Sequence, residues 1–374
     1  MLSANAADLA AATALSPAML DRLALTPARF DAMLKALAEV RAMPDPLEVE
    51  RFVQERPNGL RVYKRRVPLG VIAVVYEARP NVTVEAASLT LRSGNAAVLR
   101  GGSEAIRSNT ALAEAVREGL SSAGLPVDAV TLVTDLDRAR VAELMGAVGK
   151  VDLLIPRGGD ALMAFVDAHA KVPVVRHGQG VCHVYVDAAA DPAMAEAIAL
   201  NAKVSRPGVC NAMETLLVHR GAAERVLPAL GRSLVEAGVE LRAGPGAVEL
   251  LRAAGAPAVP AVEADWDREF LGLTLAVKLV GGLDEALAHI AEHGTGHTAS
   301  VVTEDAEVGE RFLREVEASC VLWNASTRFN DGGQLGLGAE IGISTTRMHA
   351  WGPMSAAELT AEKFVVRGAG QVRV

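Results

Sequence analysis

Short apolar runs alternate with longer helical patterns over residues 70–160. The apolar runs lie at 71–76, 96–99, 129–133 and 152–155, with helical patterns near 104–123 and 136–148. Such alternation is typical of parallel βαβ units, and continuous Val, Ile and Leu runs are typical of strands covered by helices on both faces. The pattern predicts a doubly wound α/β sheet.

A second series of the same kind follows a helical pattern at 192–202. Its strand candidates are 215–218, 275–280, 299–302 and 321–323. From residue 324 to 344 the chain becomes glycine-rich, which suits a loop that needs positive φ or a close approach of the backbone to a ligand. We expect this series to form a second α/β domain.

Local signals add two helix starts and a hairpin. Ser16 and Thr26 each precede a proline, so the hydroxyl caps a helix and the proline occupies its first turn. Asn58-Gly59 lies between extended stretches and predicts a type I′ turn. A projecting two-stranded arm is therefore expected there.

Size and charge limit the classes of function. A chain of 374 residues exceeds what one core usually serves, so two domains are expected. The net charge of -8 is spread along the chain, and the basic run 64–66 is too short for a nucleic-acid surface. Apolar runs fall far short of the roughly 20 residues that span a bilayer, and residues 1–14 have no basic region typical of a signal peptide. Neither nucleic acid nor a membrane is an expected partner, and the cytoplasm is the expected location.

The three cysteines are Cys182, Cys210 and Cys320, and no Cys-x-x-Cys pair suggests zinc or a disulfide framework. Cys210 follows Arg206-Pro207-Gly208 in a segment between a helix and a strand, where a nucleophile can be presented. From the residues alone an inert buried thiol is the favoured interpretation, because free cysteine is among the most buried residue types.

Two glycine turns each follow a strand and open a helix. They are 156–159 (Pro-Arg-Gly-Gly) and 100–103 (Arg-Gly-Gly-Ser). Backbone amides there can face a pyrophosphate, although the Gly-x-Gly-x-x-Gly spacing is absent and an ordinary tight turn remains open. Asn81 leaves another strand at its carboxyl end, so it either donates to an oxyanion or satisfies a turn beside Pro80.

The histidines form no metal-ligand spacing with a carboxylate. Seven of the eight lie at positions 169, 177, 183, 289, 293, 297 and 349, and the eighth is His219. We expect no metal, and positions at the surface or behind a site.

Six ordered segments together resemble the aldehyde dehydrogenase superfamily, and within it the enzymes that reduce an acyl phosphate in proline biosynthesis. They are 76–83 (YEARPNVT), 92–104 (RSGNAAVLRGGSE), 152–159 (DLLIPRGG), 175–187 (VRHGQGVCHVYVD), 206–215 (RPGVCNAMET) and 324–344 (NASTRFNDGGQLGLGAEIGIS). The resemblance runs nearly end to end. It implies an aldehyde dehydrogenase-like fold with a Rossmann-type cofactor domain (1–186, with a hairpin arm at about 55–69), a catalytic domain (187–345) and a C-terminal segment (346–374) that joins an oligomerisation arm.

The resemblance also implies roles for individual residues. Cys210 matches the thiolate nucleophile, while Asn81 and the backbone amide of Cys210 match the oxyanion hole. Glu269 matches the glutamate that holds the ribose next to nicotinamide. Further matched positions are Arg100 and Ser103 at the adenosine ribose, Pro156, Arg157, Gly158 and Gly159 at the pyrophosphate, and Arg206, Asn324, Ser326 and Arg328 as substrate contacts.

A serine at position 103, where NAD-preferring relatives often carry glutamate, favours NADPH/NADP as cofactor, because Arg100 beside it can pair with a 2′-phosphate. Glu104 is adjacent and weakens this preference. The implied reaction is the reduction of L-glutamyl 5-phosphate to L-glutamate 5-semialdehyde with release of phosphate, through a thioester on Cys210.

Segment 176–180 (Arg-His-Gly-Gln-Gly) contains no carboxylate, whereas hydrolytic members have a general-base glutamate there. A hydrolytic semialdehyde dehydrogenase is therefore the less favoured alternative. A catalytically silent nucleotide-binding regulator and a cysteine hydrolase are further alternatives. The resemblance implies a homo-oligomer, a dimer or a tetramer, and makes glutamate 5-kinase a candidate partner.

Two departures from the family pattern are visible. No helical stretch precedes residues 4–9 as it usually does, which leaves open how the outer face of the cofactor domain packs. Trp351 stands where a smaller or charged residue is expected.

Overall fold

The computed structural model describes residues 1–176 and 178–373, with the backbone alone at residues 17, 18 and 160. The helices are α1 (Leu2–Ala11), α2 (Pro17–Leu23), α3 (Pro27–Ala42), α4 (Asn81–Arg92), α5 (Ile106–Ser122), α6 (Arg138–Gly146), α7 (Asp160–His169), α8 (Pro192–Val204), α9 (Arg220–Glu236), α10 (Ala247–Ala253), α11 (Leu283–His293) and α12 (Ala306–Glu315). Short 3₁₀ helices lie at Pro46–Glu48, Ser103–Ala105, Val127–Ala129, Glu263–Asp265 and Thr327–Phe329.

The strands follow the predicted order along the chain. They are β1 (Glu50–Glu55), β2 (Arg61–Pro68), β3 (Val71–Tyr76), β4 (Ala96–Gly101), β5 (Val130–Leu132), β6 (Leu153–Arg157), β7 (Cys182–Val186), β8 (Met213–His219), β9 (Glu240–Ala243), β10 (Ala258–Pro260), β11 (Thr274–Val280), β12 (Thr298–Val302), β13 (Cys320–Trp323), β14 (Ile343–Ser344), β15 (Gly352–Pro353) and β16 (Thr360–Arg367). The sequence did not indicate β9 or β10, which are short.

The first sheet is parallel, with the strand order β5-β4-β3-β6. Alternate residues of β3 enter two different apolar clusters: Ile72 and Val74 belong to one, and Ala73 and Val75 to the other. Both faces of this sheet are therefore covered, which is why β3 has a continuous apolar sequence. The predicted doubly wound sheet is confirmed.

The second sheet is also parallel, with the order β10-β9-β11-β8-β7-β12-β13. Leu216 and Val218 of β8 face one apolar cluster, and Leu217 faces another. This sheet is thus covered on both faces as well, and the predicted second α/β unit is present.

Two compact units divide the chain. The first unit comprises residues 1–177, 336–342 and 346–374, and the second comprises 178–335 and 343–345. The sequence places a boundary after residue 186, whereas β7 pairs with β8 and β12 and so belongs to the second unit.

The hairpin of β1 and β2 is present, but its turn differs from the prediction. Gly59 has a φ of 83°, while among the described residues Asn58 does not have positive φ, so the type I′ prediction is wrong. Gly59 N–H donates to Arg56 O (2.8 Å) and Arg56 N–H to Leu60 O (2.8 Å), which closes a three-residue loop. The reason is Pro57, whose ring fixes a negative φ at the first loop position and leaves Gly59 as the left-handed residue.

The C-terminal strand β16 pairs antiparallel with β2 of the same chain, giving a three-stranded sheet with the order β1-β2-β16. The sequence indicates a strand over 364–374 that can pair across a subunit boundary; the observed strand ends at Arg367. Arg66 fixes the approach to β16, since its Nη1 donates to Ala357 O (2.6 Å) and to Thr360 Oγ1 (2.8 Å). Trp351, unexpected at its position, lies under the guanidinium of Arg347 at 4.8 Å.

Of the N-terminal helices, α1 packs on α5 and α3 packs on α4. Ser16 and Thr26 cap α2 and α3 as predicted, accepting bonds from Met19 N–H and Arg29 N–H. Asp8 of α1 is buried and accepts bonds from the backbone N–H (2.8 Å) and hydroxyl (2.6 Å) of Ser108. A buried carboxylate with two donors fixes α1 on this face of the first unit. No helix in the described parts of the chain combines the length and apolarity needed to cross a membrane.

Candidate active site

The candidate residues of the second unit lie at one edge of its sheet. Strands β11, β8, β7 and β12 are consecutive neighbours, and the segments that precede them carry Glu269, Cys210, Gly180 and His297 respectively. In a parallel sheet these amino ends share an edge. Residues remote in sequence are thereby brought together around Cys210.

Cys210 lies in a turn between α8 and β8, where Ala212 N–H donates to Val209 O (3.0 Å). It is half-buried and is not in a disulfide. The Cys182 thiol donates to the carbonyl of Cys210 (3.0 Å). A Cβ at Gly180 would lie 1.9 Å from the same carbonyl oxygen, so only glycine fits there. The sequence did not single out this close approach.

The other two cysteines are unsuited to nucleophilic attack. Burial raises the pKa of the Cys182 thiol well above its usual range, and the nearby Cys210 raises it further. Burial also raises the pKa of Cys320. Because the thiolate is the nucleophile, both remain protonated thiols, and Cys210 is the remaining candidate.

Glu269 lies on a segment held from both sides. Its Oε1 accepts from Gly180 N–H at 2.9 Å. Asp267 contacts His293 Nδ1 (2.8 Å), and Leu271 N–H donates to Glu214 Oε1 (3.2 Å). The carboxylate of Glu269 is thus fixed beside the residue that touches Cys210.

Sequence reasoning missed a buried ion pair between Lys203 and Glu214. Lys203 Nζ lies 2.6 Å from Glu214 Oε2, and neither side chain is exposed to solvent. Burial lowers the pKa of Lys203 and raises the pKa of Glu214 to about 7. A signal was present: Glu214 is a charged residue in the otherwise apolar start of β8, and charged residues are rarely fully buried unless paired.

Two arginines lie near Cys210. Burial lowers the pKa of Arg328, the charge of Arg206 lowers it further, and Cys210 acts in the opposite direction. Arg328 Nε donates to Ser205 Oγ at 3.1 Å. Asn211, next to Cys210, donates from Nδ2 to Asn330 O (2.9 Å), so the loop that carries Arg328 lies against the segment that carries Arg206 and Cys210. Guanidinium groups there would suit an anion.

The two other predicted substrate residues have local structural partners. Asn324 has a φ of 54°. Its side chain accepts from Thr303 N–H (2.9 Å) and donates to Thr303 O (2.9 Å). Ser326 caps a 3₁₀ helix by accepting from Arg328 N–H (3.3 Å). In this arrangement both side chains shape the loop that carries Arg328.

Four of the described histidines are buried, so the surface alternative does not hold for them, while a position behind a site stays a prediction. They are His183, His289, His293 and His297. The ring centroids of His183 and His289 are 5.4 Å apart, and those of His289 and His293 are 4.4 Å apart. Burial lowers the pKa of His183 to about 4 and lowers that of His289 strongly, so both are neutral at pH 7. His177 lies outside the described residues.

The candidate cofactor residues of the first unit lie at the carboxyl edge of its sheet. Asn81 begins α4 after β3, and its amide nitrogen donates to Glu85 Oε1 (2.7 Å). An amide nitrogen carries two hydrogens, so a second donor remains. Arg100, in β4, donates to two backbone carbonyls, Gly101 O (2.6 Å) and Leu136 O (2.9 Å).

Arg100 is 8% exposed, and its Nε has no partner. Within the described residues no carboxylate lies within ion-pair distance of its guanidinium. Ser103, exposed, follows at the start of a 3₁₀ helix, and the adjacent Glu104 turns its carboxylate to Ala78 N–H (2.5 Å). The Glu104 carboxylate is thus bonded to the backbone. Asp135, whose pKa is lowered in part by the charge of Arg100, is a second acidic group near this guanidinium.

The predicted pyrophosphate turn connects β6, which ends with Pro156 and Arg157, to α7. Gly159 N–H donates to Glu77 Oε2 (3.0 Å), and a Cβ at Gly158 would lie 2.7 Å from the Glu77 carboxyl group. A carboxylate therefore already lies against these amides, as expected for donors at a helix N-terminus.

Comparison with known proteins identifies the class. The model of the aldehyde dehydrogenase family matches residues 1–247. The chain is similar to the gamma-glutamyl phosphate reductase of Anaeromyxobacter sp. strain Fw109-5, with 56% identity over 100% of this chain and 88% of that protein. The protein of the same name from Thermus thermophilus is 54% identical over 100% of this chain and 90% of that protein.

Solved structures agree. The crystal structure of gamma-glutamyl phosphate reductase from Thermotoga maritima has a TM-score of 0.95 and 44% identity, covering 100% of this chain and 90% of that one. An engineered glycolyl-CoA reductase with bound NADP+ shares the fold, with a TM-score of 0.66 and 18% identity over 97% of this chain and 95% of that one. The chain belongs to the aldehyde dehydrogenase family, and within it to the gamma-glutamyl phosphate reductases. The family predicted from the six segments is confirmed.

Replacing Gly180 by alanine is expected to displace the Cys210 loop, because the added Cβ would lie 1.9 Å from the backbone carbonyl oxygen of Cys210. Overpacking of this kind costs about 1–3 kcal/mol. Gly180→Ala should lower the free energy of unfolding by roughly that amount and change the rate of Cys210 alkylation by iodoacetamide several-fold, measured by mass spectrometry. Gly208→Ala is the matched control, since its Cβ would meet only Leu271 O at 3.7 Å. Equal behaviour of the two variants would contradict the close approach.

The burial of His183 is expected to make a destabilising contribution in mild acid. The unfolded pKa of histidine is near 6.5, and the folded pKa of His183 is about 4. Below pH 6.5 the unfolded chain binds a proton that the folded chain does not, so His183 alone should cost roughly 2 kcal/mol between pH 7 and pH 5. Urea unfolding across this range measures the slope. His183→Gln should reduce it, whereas His169→Gln, at an exposed position, should not; identical slopes in all three proteins would refute the assignment.

Proposed function

We propose that this chain reduces L-glutamyl 5-phosphate to L-glutamate 5-semialdehyde and releases phosphate, with NADPH as reductant, in proline biosynthesis. The observation that carries the proposal is Cys210 in its turn, with the loop of Arg328 held against the same segment by bonds from Arg328 Nε to Ser205 Oγ (3.1 Å) and from Asn211 Nδ2 to Asn330 O (2.9 Å). Relatives that match the full chain at 54–56% identity are named gamma-glutamyl phosphate reductase. The reaction needs a thiolate and an anion site in one place, and this loop offers both.

In the first step the Cys210 thiolate attacks the γ-carbonyl carbon. A carbon–sulfur bond forms, the bond from that carbon to the phosphate oxygen breaks, and phosphate leaves with the electron pair. The Cys210 backbone amide and Asn81 are the proposed donors to the oxyanion. Arg206 and Arg328 are the proposed partners of the substrate's anionic groups, because paired guanidinium groups suit phosphate and carboxylate.

The cofactor proposal assigns Arg100 and Ser103 to the 2′-phosphate side of the adenosine ribose, and Glu269 to the ribose beside nicotinamide. The turn of Pro156, Arg157, Gly158 and Gly159 is the proposed neighbour of the pyrophosphate. When bound, NADPH supplies the hydride that reduces the Cys210 thioester. The buried guanidinium of Arg100, oriented by the carbonyls of Gly101 and Leu136, supports NADPH over NADH.

Reduction is favoured over hydrolysis because segment 176–180 has no carboxylate to activate water. Glu269, which approaches this segment, accepts from Gly180 N–H. We therefore assign the Glu269 carboxylate to positioning this amide and not to activating water. Phosphate is also a good leaving group, so the thioester forms without a separate acid.

We also propose a location and partners for the reaction. The described cysteines form no disulfide, which suits the cytoplasm. We assign homo-oligomer formation, as a dimer or a tetramer, to the sheet of β1, β2 and β16, where Phe52, Phe364 and Val366 are exposed. Association with glutamate 5-kinase remains a hypothesis, motivated by the short life of acyl phosphates in water.

The reverse reaction tests the chemistry. With glutamate 5-semialdehyde and NADP+, NADPH should form only when inorganic phosphate is added, because the thioester must be released by phosphate. Cys210→Ala should reduce this rate roughly 1,000-fold or more, whereas Cys320→Ala, at a second half-buried thiol, should retain most of it. A rate that does not depend on phosphate would establish the hydrolytic alternative instead.

The cofactor assignment is tested by Arg100→Met. A charge-assisted hydrogen bond contributes about 1.5–3 kcal/mol, so kcat/KM for NADPH should fall roughly 10- to 100-fold, with little change for NADH. The NADPH to NADH ratio is the internal control, because a general structural defect lowers both values. Arg107→Met, at an exposed arginine of the same unit, should leave the ratio unchanged. An equal loss with both cofactors would remove Arg100 from the 2′-phosphate assignment.

A further inference from the structure

The buried pair of Lys203 and Glu214 brackets the nucleophile. Lys203 is in the last turn of α8 and Glu214 is the second residue of β8, and Cys210 lies between them in sequence. The contact of 2.6 Å between Nζ and Oε2 joins the two ends of segment 203–214, which contains Cys210. The two ends of the Cys210 loop are therefore fixed to each other by charge.

Stability alone does not account for such a pair. Removing two charges from water costs several kcal/mol per ion, and apolar residues of similar volume are often at least as stabilising. We therefore look for a role of this fully buried pair other than stabilising the fold. The remaining contacts of Glu214 indicate which one.

The second oxygen of Glu214 reaches a different loop. Oε1 accepts from Leu271 N–H at 3.2 Å. Leu271 has a φ of 53°, a conformation that L residues with bulky side chains rarely adopt without support. The ring of Phe270 lies 5.9 Å from Lys203 Nζ. Both members of the pair thus contact the two residues that follow Glu269.

Glu269 in turn accepts from Gly180 N–H (2.9 Å), and Gly180 lies against the Cys210 carbonyl. These contacts form a closed ring. Glu214 accepts a hydrogen bond from Leu271 N–H, the segment of Leu271 carries Glu269, and Glu269 accepts from Gly180 N–H beside the Cys210 carbonyl. A shift at Glu214 is therefore transmitted to Glu269 through a single strained residue, Leu271.

We propose that Glu214 is a positioning residue that couples the Cys210 loop to the Glu269 segment, with Lys203 as its counter-charge. Through the bond to Leu271 N–H it sets the place of Glu269, and so the affinity for NADPH. The inference rests on the proposed function, since it takes Glu269 to be a ribose ligand.

Two double variants separate this role from a structural one. Lys203→Met with Glu214→Leu removes both charges and the acceptor for Leu271 N–H. Lys203→Met with Glu214→Gln also removes both charges but keeps an amide oxygen at that place. Neither leaves an unpaired buried charge, so thermal unfolding should confirm that both fold.

NADPH affinity, measured by fluorescence titration of the full-length protein, is the readout. The leucine variant should raise Kd about 5-fold, the size expected for one lost hydrogen bond, and the glutamine variant should stay within about 2-fold of the parent. Equal Kd values for the two variants would overturn the proposal. If the leucine variant does not fold, Glu214→Asp in the parent keeps the pair and shortens the reach to Leu271, and it should raise Kd; an unchanged Kd counts against the proposal.

A double-mutant cycle with Glu269→Ala tests whether Glu214 acts on NADPH affinity through Glu269. If Glu214 acts through Glu269, the leucine variant should change Kd less than 2-fold once Glu269 is alanine. Additive effects would refute the coupling while leaving the ribose role of Glu269 in place. No change in Kd for Glu269→Ala alone would instead remove Glu269 from the proposed cofactor site.

Discussion

The close approach of Gly180 to the carbonyl of Cys210 is the constraint on which the candidate site of the second unit depends. It forces two loops from neighbouring strands into backbone contact, so neither can move without the other. The Cys182 thiol and the Glu269 carboxylate then fill the hydrogen-bonding positions on either side of the contact. Fixed backbone of this kind allows donors to be aimed at a reacting carbonyl before substrate arrives.

The two sheets present their residues at opposite ends of their strands. In the four-stranded sheet, Asn81 and Gly159 follow strands, in agreement with the rule that open α/β sheets bind ligands at the carboxyl edge. In the seven-stranded sheet, Cys210 and Glu269 precede strands. The rule therefore anticipates the candidate residues of the first unit and does not anticipate the position of Cys210, the proposed nucleophile.

Local sequence patterns predicted most of the strands and helices. The apolar runs at β3 and β8 and the capped helices after Ser16 and Thr26 depend on neighbours in sequence, so the chain itself reveals them. The hairpin turn at Gly59 was predicted in place but not in type, because Pro57 changed which residue takes the left-handed conformation. Cys210 emerged only from its surrounding motif. The Gly180 contact escaped prediction because it depends on β7 and β8 being neighbours. The Lys203–Glu214 pair and the burial of His289 and His293 escaped prediction because they depend on how α8 and α11 pack on the sheet.

Arg100 illustrates what such pre-built contacts mean for binding. Two main-chain carbonyls already hold its guanidinium in one orientation. An arginine side chain that is ordered only on ligand binding loses roughly 0.5–1.5 kcal/mol of conformational entropy at that moment. For Arg100 that entropy is lost when the chain folds. An anion that binds there would therefore lose less free energy to ordering the side chain, so part of the affinity at this position is determined by the fold.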